Sequence, residues 1–137
     1  MADTFNLEVA TPERLVFREA ATELQIPCKN GYIGVLPGHA PLLSELGIGY
    51  ASYMAGGRKS YFAVHGGFVE VLPDKVRVLA EKVEKAEEID VKRAEAAFRR
   101  AQEQLAEPHV EADPALALSA MFRAQARLDT VAQVKKG

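Results

Sequence analysis

The chain has no tryptophan, a single cysteine and no long apolar run. Cys28 standing alone excludes an intrachain disulfide framework and a cysteine-based metal site, and it points to a cytoplasmic-side location. No apolar segment approaches the about 20 residues of a membrane helix, so any membrane association has to pass through a partner. The opening MADTFNLEVA lacks a basic segment followed by an apolar core, which sets aside a secretory signal. An excess of one charge is missing too. Lys and Arg number 17 against 19 Asp and Glu, so the basic stripe of a nucleic-acid binder is not to be expected. Enzyme signatures are equally scarce: there is no G-x-S-x-G elbow and no G-x-G-x-x-G fingerprint. GGRKS at 56–60 has an arginine where a phosphate-binding loop needs its glycine-lysine step, and a two-glycine hairpin turn accounts for it more simply.

What is present divides into two periods. At 137 residues the chain suffices for one domain with an appendage. From residue 4 to about 82 apolar residues alternate: Phe5, Leu7 and Val9; Leu15 and Phe17; Leu24 and Ile26; Phe62 and Val64; Val69 and Val71; Val76 and Val78. Thr11-Pro12, Lys29-Asn30-Gly31, Gly56-Gly57, Gly66-Gly67 and Pro73-Asp74 separate the runs as turn signals. Short alternating strands at this spacing predict an antiparallel β-sandwich or barrel. At Val83–Glu88 the alternation stops, and Val91, Ala94, Phe98, Ala101 and Leu105 then follow helical spacing. Pro108 is expected to end that helix and 107–113 to form a polar connector. Asp113-Pro114 is an N-cap followed by proline at the first helical position. The seam Ala117, Met121, Ala124, Leu128 and Val131 repeats the first one, and Lys135-Lys136 suit the helix C-terminus. The prediction is a sandwich over 1–84 and an antiparallel two-helix hairpin over 85–137. Its alanine-rich seam gains little on burial, so its docking is expected to be marginal and reversible.

Candidate chemistry is sparse. His39 lies in a Gly/Pro loop, His65 at a strand end and His109 in the connector, none beside a convincing partner. On the helices, Asp90 precedes Arg93 by three residues, and Arg123 and Arg127 stand four apart on one face. Guanidinium groups placed so can take phosphate oxygens bidentately. The same spacing describes an ordinary solvated face carrying charge pairs.

Three motifs in order, GYIGVLPGHAPLL, VHGGFVEVLPDKVRVLA and IDVKRA opening an alanine-rich hairpin, resemble the epsilon subunit of the bacterial rotary F-type ATP synthase. The resemblance runs from Phe5 to about Lys136. It implies a non-catalytic central-stalk subunit with no metal site and no required cofactor. The expected partners are the gamma subunit and the ring of c subunits, in an assembly that couples transmembrane proton flow to ATP synthesis. It further implies a peripheral place at the cytoplasmic face of the bacterial cell membrane. The hairpin would lie folded on the sandwich, or extend to the alpha/beta catalytic head and inhibit ATP hydrolysis.

Site residues follow from the same resemblance. Gly38 and His39 match the family loop that faces the c ring, and Tyr32 stands where some relatives carry an acidic residue. Ile89, Asp90, Arg93 and Ala94 match the I/L-D-x-x-R-A motif through which some members bind a regulatory ATP, with or without magnesium. Glu84 matches a glutamate preceding that motif, and Arg123 and Arg127 match two arginines of the second helix. The other reading of the chain is a free-standing sandwich adaptor whose hairpin binds an unrelated protein.

Overall fold

The computed structural model describes residues 3–107 and 113–137. Ten strands form two five-stranded sheets: β1 (Phe5–Ala10), β2 (Leu15–Ala21), β3 (Glu23–Cys28), β4 (Gly31–Val35), β5 (Leu42–Glu45), β6 (Ile48–Ala55), β7 (Arg58–His65), β8 (Gly67–Val71), β9 (Lys75–Ala80) and β10 (Val83–Lys85). The first sheet has the order β2-β1-β9-β8-β5 and the second β10-β7-β6-β3-β4. All pairs are antiparallel except β1 with β9, which run parallel from Asn6–Lys75 to Ala10–Leu79. The sandwich expected from the alternation is therefore present, with one parallel pair inside it.

Alternation works because successive side chains of a strand point to opposite faces. Phe5, Leu7, Val9, Leu24, Ile26, Phe62, Val64, Val69, Val71, Val76 and Val78 all enter the space between the sheets. Among the described residues, no helix residue belongs to that core cluster. Leu15 departs from the expectation and is 46% exposed. The register slips between Val9 and Ala10, so Leu15 pairs with Ala10 while Phe17 pairs with Val9, and the irregularity turns Leu15 out. The glycine-rich stretch 31–49 is also more ordered than its composition suggests, since it supplies β4, β5 and the start of β6. β10 departs from the expected end of the alternation at Val83: its three residues are too few to show a period.

A 3₁₀ turn at Ala86–Glu88 leads into α1 (Val91–Ala106), and α2 follows at Pro114–Lys136. Asp90 caps α1 by accepting from the Arg93 N–H at 3.1 Å, and Asp113 caps α2 by accepting from the Ala115 N–H at 2.9 Å. Pro108, His109 and most of the expected connector lie outside the described residues. α2 lies on the outer face of the second sheet, over β6 and β7, and α1 packs on α2. This explains why Phe62, Ala63, Val64 and His65 of β7 are buried in succession: both faces of the strand are covered. The seams are as expected, with Ala94 and Ala101 of α1 and Ala117 and Ala124 of α2 buried. α2 buries Ala126 and Thr130 as well, because it is flanked by both α1 and the sheet. The Thr130 hydroxyl is satisfied by donating to the Ala126 carbonyl at 2.6 Å.

Candidate functional site

The geometry that gathers most of the singled-out residues is the joint between sandwich and hairpin. A cleft of about 480 Å³ opens there, within the about 300–1,000 Å³ of small-molecule sites. Five of the seven residues matched to the nucleotide motif line it: Glu84 from β10, Asp90, Arg93 and Ala94 from the cap and first turn of α1, and Arg127 from α2. Ile89 and Arg123 are not among its lining residues. Three charged side chains that no motif singled out join them: Lys82, Glu88 and Arg100. Arg100 follows Arg93 by seven residues, so helical periodicity had the signal for it. Lys82 and Glu88 carry no comparable local mark.

The carboxylates of the cleft are committed and most of the cations are not. Asp90 is engaged as the N-cap of α1, and Glu88 accepts from the Lys85 N–H at 3.1 Å. Glu84 accepts from Arg127 Nε at 2.6 Å and from His65 Nε2 at 2.9 Å, both on Oε1. Lys82, Arg93 and Arg100 make no ion pair among the described residues. The N-terminal end of α1 adds its own positive potential. The arrangement suits a polyanion held between α1 and α2, with the sandwich contributing Lys82, and Glu84 holding Arg127 in place.

Burial alone pushes the Glu84 carboxyl up, but the hydrogen bonds from His65 and Arg127 and the Arg127 charge outweigh it and hold it at about 2. A depressed carboxyl contributes stability that is present above its ordinary value of 4.5 and is lost as pH falls towards 2. Glu84 is partly open to solvent, so screening limits this to about 1–2 kcal/mol. Glu84→Gln is therefore expected to lower stability near neutral pH and to flatten the acid limb. Unfolding followed between about pH 6 and pH 2 checks this. An unchanged acid limb would mean that the bridge contributes nothing.

The second set of residues does not converge. Gly38 and His39 sit in the loop between β4 and β5, whose tip is tied to the β8–β9 turn by the Gly38 N–H donating to the Pro73 carbonyl at 2.8 Å. A φ of 85° at Gly38 is one that glycine adopts without strain. His39 Nδ1 lies 2.7 Å from its neighbour's carbonyl, that of Ala40. Tyr32 lies towards the other end of β4, its hydroxyl donating to the Tyr50 carbonyl at 2.8 Å, and burial pushes that hydroxyl up to about 12. Beyond these residues, the outer face of the first sheet carries an apolar patch. Phe68 and Leu79 are cross-strand partners there, 52% and 54% exposed, with Leu43 on the adjoining strand 70% exposed. On the same face Glu8 is bonded to Arg18 and Lys75 at 3.1 and 3.2 Å.

Two five-stranded antiparallel-rich sheets followed by two packed helices, with a charged cleft at their joint, define the class: a β-sandwich protein with a C-terminal two-helix domain. Residues 4–86 match the family model "ATP synthase, Delta/Epsilon chain, beta-sandwich domain", and residues 87–132 match the corresponding "long alpha-helix domain". The chain belongs to the epsilon-subunit family of the ATP synthases. It is 59% identical over 130 residues to the ATP synthase epsilon chain of Solibacter usitatus, covering 95% of this chain and 97% of that one. It is 44% identical over 128 residues to the epsilon chain of Nitratidesulfovibrio vulgaris, covering 93% and 96%. The fold is shared with a chain of the mitochondrial ATP synthase OSCP/F1/c-ring assembly of Euglena gracilis, with a TM-score of 0.83 and 21% identity over 100% of this chain and 84% of that one.

Proposed function

We propose that this chain is a non-catalytic central-stalk subunit of a rotary ATP synthase that couples transmembrane proton flow to ATP synthesis and restrains ATP hydrolysis through its hairpin. One observation carries the regulatory part: the cleft exists only where α1, α2 and the sandwich meet, so a ligand in it favours the docked hairpin. The ligand is ATP, with or without magnesium. Its phosphates would be held by Arg93, Arg100 and Arg127, and the sequence motif supports the choice of nucleotide.

The docked state is held by alanine seams, by the contact of α2 with β6 and β7 and by the bridge from Glu84 to Arg127. The switch requires an undocked state within a few kcal/mol of it. ATP at a hundred times its Kd adds about 2.7 kcal/mol to the docked state, a population shift of about a hundredfold. When ATP falls, α2 is released and presents Arg123, Arg127 and Lys135 to acidic surfaces of the alpha/beta head. The apolar patch of Leu43, Phe68 and Leu79 is the surface for the gamma subunit, as an exposed patch rimmed by charge suits a protein contact. The Gly38–His39 loop meets the c ring. Among the described residues no helix is long and apolar enough to cross a membrane. The chain reaches the cytoplasmic face of the membrane through the complex.

The test compares the full chain with one ending at Lys85 in the reassembled enzyme. The shorter chain keeps the whole core cluster and is expected to fold and to join the stalk. Only the full chain should lower ATP hydrolysis, by several-fold at low ATP and less at millimolar ATP. Equal hydrolysis with both chains would end the regulatory reading while leaving stalk assembly to be judged by binding.

A further inference from the structure

His65 is 4% exposed, and its ring links three elements. It ends β7, its Nε2 lies 2.9 Å from Glu84 Oε1 of β10, and that same oxygen accepts from Arg127 Nε of α2 at 2.6 Å. An ionised carboxylate only accepts, so the hydrogen bond assigns the proton to Nε2. Nδ1 is buried with no hydrogen-bond partner among the described residues. A ring placed only to fill space has no need to leave a polar atom unsatisfied, because an apolar side chain of that size would fill the space without that penalty. The unpaired Nδ1 therefore points to a task for the other nitrogen.

We propose that His65 is a positioning residue: through Glu84 it holds Arg127, and so both docks α2 on the sandwich and presents the Arg127 guanidinium to the cleft. Held through Nε, that guanidinium keeps both terminal nitrogens for a phosphate. Without His65, the Glu84 carboxylate is gripped from one side only and Arg127 loses its fixed direction. This is the way outer partners orient the groups that touch a ligand. The docking half of the proposal stands on the geometry of the bridge, and the presentation half rests on the ATP reading above.

Two polar variants of the full chain separate this from a packing role. In His65→Gln the side-chain amide reaches the position of Nε2 and can still donate to Glu84; in His65→Asn it stops one methylene short. Hydrogen exchange of α2 amides without nucleotide reads docking, and calorimetric titration with ATP reads the cleft. The asparagine chain is expected to exchange in α2 about tenfold faster and to bind ATP about tenfold more weakly, while the glutamine chain stays within about twofold of wild type in both. Wild-type exchange in the asparagine chain overturns the proposal, as does equally fast exchange in both variants. A wild-type chain that binds no ATP overturns the nucleotide reading and the presentation half with it, while the exchange comparison still decides docking. Should the asparagine chain lose its sheet, Glu84→Gln decides instead. It leaves His65 in place and has to free α2 by a similar factor, or the docking role is wrong.

Discussion

Replacing Gly67 by alanine is expected to destabilise the sandwich by about 3–5 kcal/mol, the sum of backbone strain and overpacking. Gly66 and Gly67 carry the chain from the second sheet at His65 to the first at β8. Gly67 has a φ of 113°, and a Cβ built there would lie 2.2 Å from the Leu79 carbonyl oxygen and 2.7 Å from the Ala80 Cα. Both obstacles are backbone of the neighbouring strand β9, so no side-chain rotation relieves them. Retreat would pull β8 from β9 in the middle of the first sheet and open the core at Val69 and Val78. For a domain of this size, a loss of that order is a large part of the whole stability. Thermal or denaturant unfolding measures it, and Gly56→Ala is the control. Gly56 also has a positive φ, of 58°, but a Cβ there meets nothing, so its substitution should cost about 1–2 kcal/mol. Equal losses at the two positions would show that strain alone, without the clash, sets the cost.

Replacing Arg93 and Arg127 together by alanine is expected to weaken ATP binding to the isolated chain by a hundredfold or more. A hydrogen bond to a charged group contributes about 1.5–3 kcal/mol, so removing two such bonds at once costs about 3–6 kcal/mol. Alanine favours helix, so α1 and α2 should persist. The sandwich core contains neither residue, so the sheets should stay folded, with stability lowered only by the loss of the Arg127 bond to Glu84. Arg127 is also the α2 end of the bridge to Glu84, so docking weakens in the same variant. Arg93→Ala alone is the cleaner probe of the cleft, because Arg93 makes no ion pair among the described residues. Calorimetry gives the affinity, and a distance probe across the two helices gives the docking. Binding within about threefold of wild type in the double variant would remove the arginines from the site. The same extended surface that would contact the catalytic head contains Arg127, so inhibition has to be measured separately from binding.

Much of the fold was legible because its signals are local. Side chains alternate along a strand and recur every three or four residues along a helix, whatever they later pack against. The buried sets at Phe5–Val9, Leu24–Ile26 and Val76–Val78 and both alanine seams could therefore be read directly. The start of α2 was legible for the same reason, since the cap Asp113 bonds two residues away. Asp90 stood out only for its spacing to Arg93 and proves to be the cap of α1. Where a distant element changed the local pattern, reading failed. Leu15 turns outward at a slip that its own neighbours do not announce, and β10 is a strand only because β7 lies beside it.

The residues alone determined the division into sandwich and hairpin, the family motifs and the short list of charged residues from which a site could be built. The tertiary structure decided which of these meet. Glu84 and Arg127 are 43 positions apart, yet they share a bond of 2.6 Å because α2 returns across the second sheet. The same docking brings in Lys82 and Arg100, leaves Arg123 out of the cleft, and buries His65 against Glu84. The extended β4 holds Tyr32 apart from Gly38 and His39 in the loop that follows it, although eight positions of sequence span all three. Periodicity is a property of the local backbone. The convergence of side chains on one cleft depends on how whole elements dock, and that is settled by non-local packing.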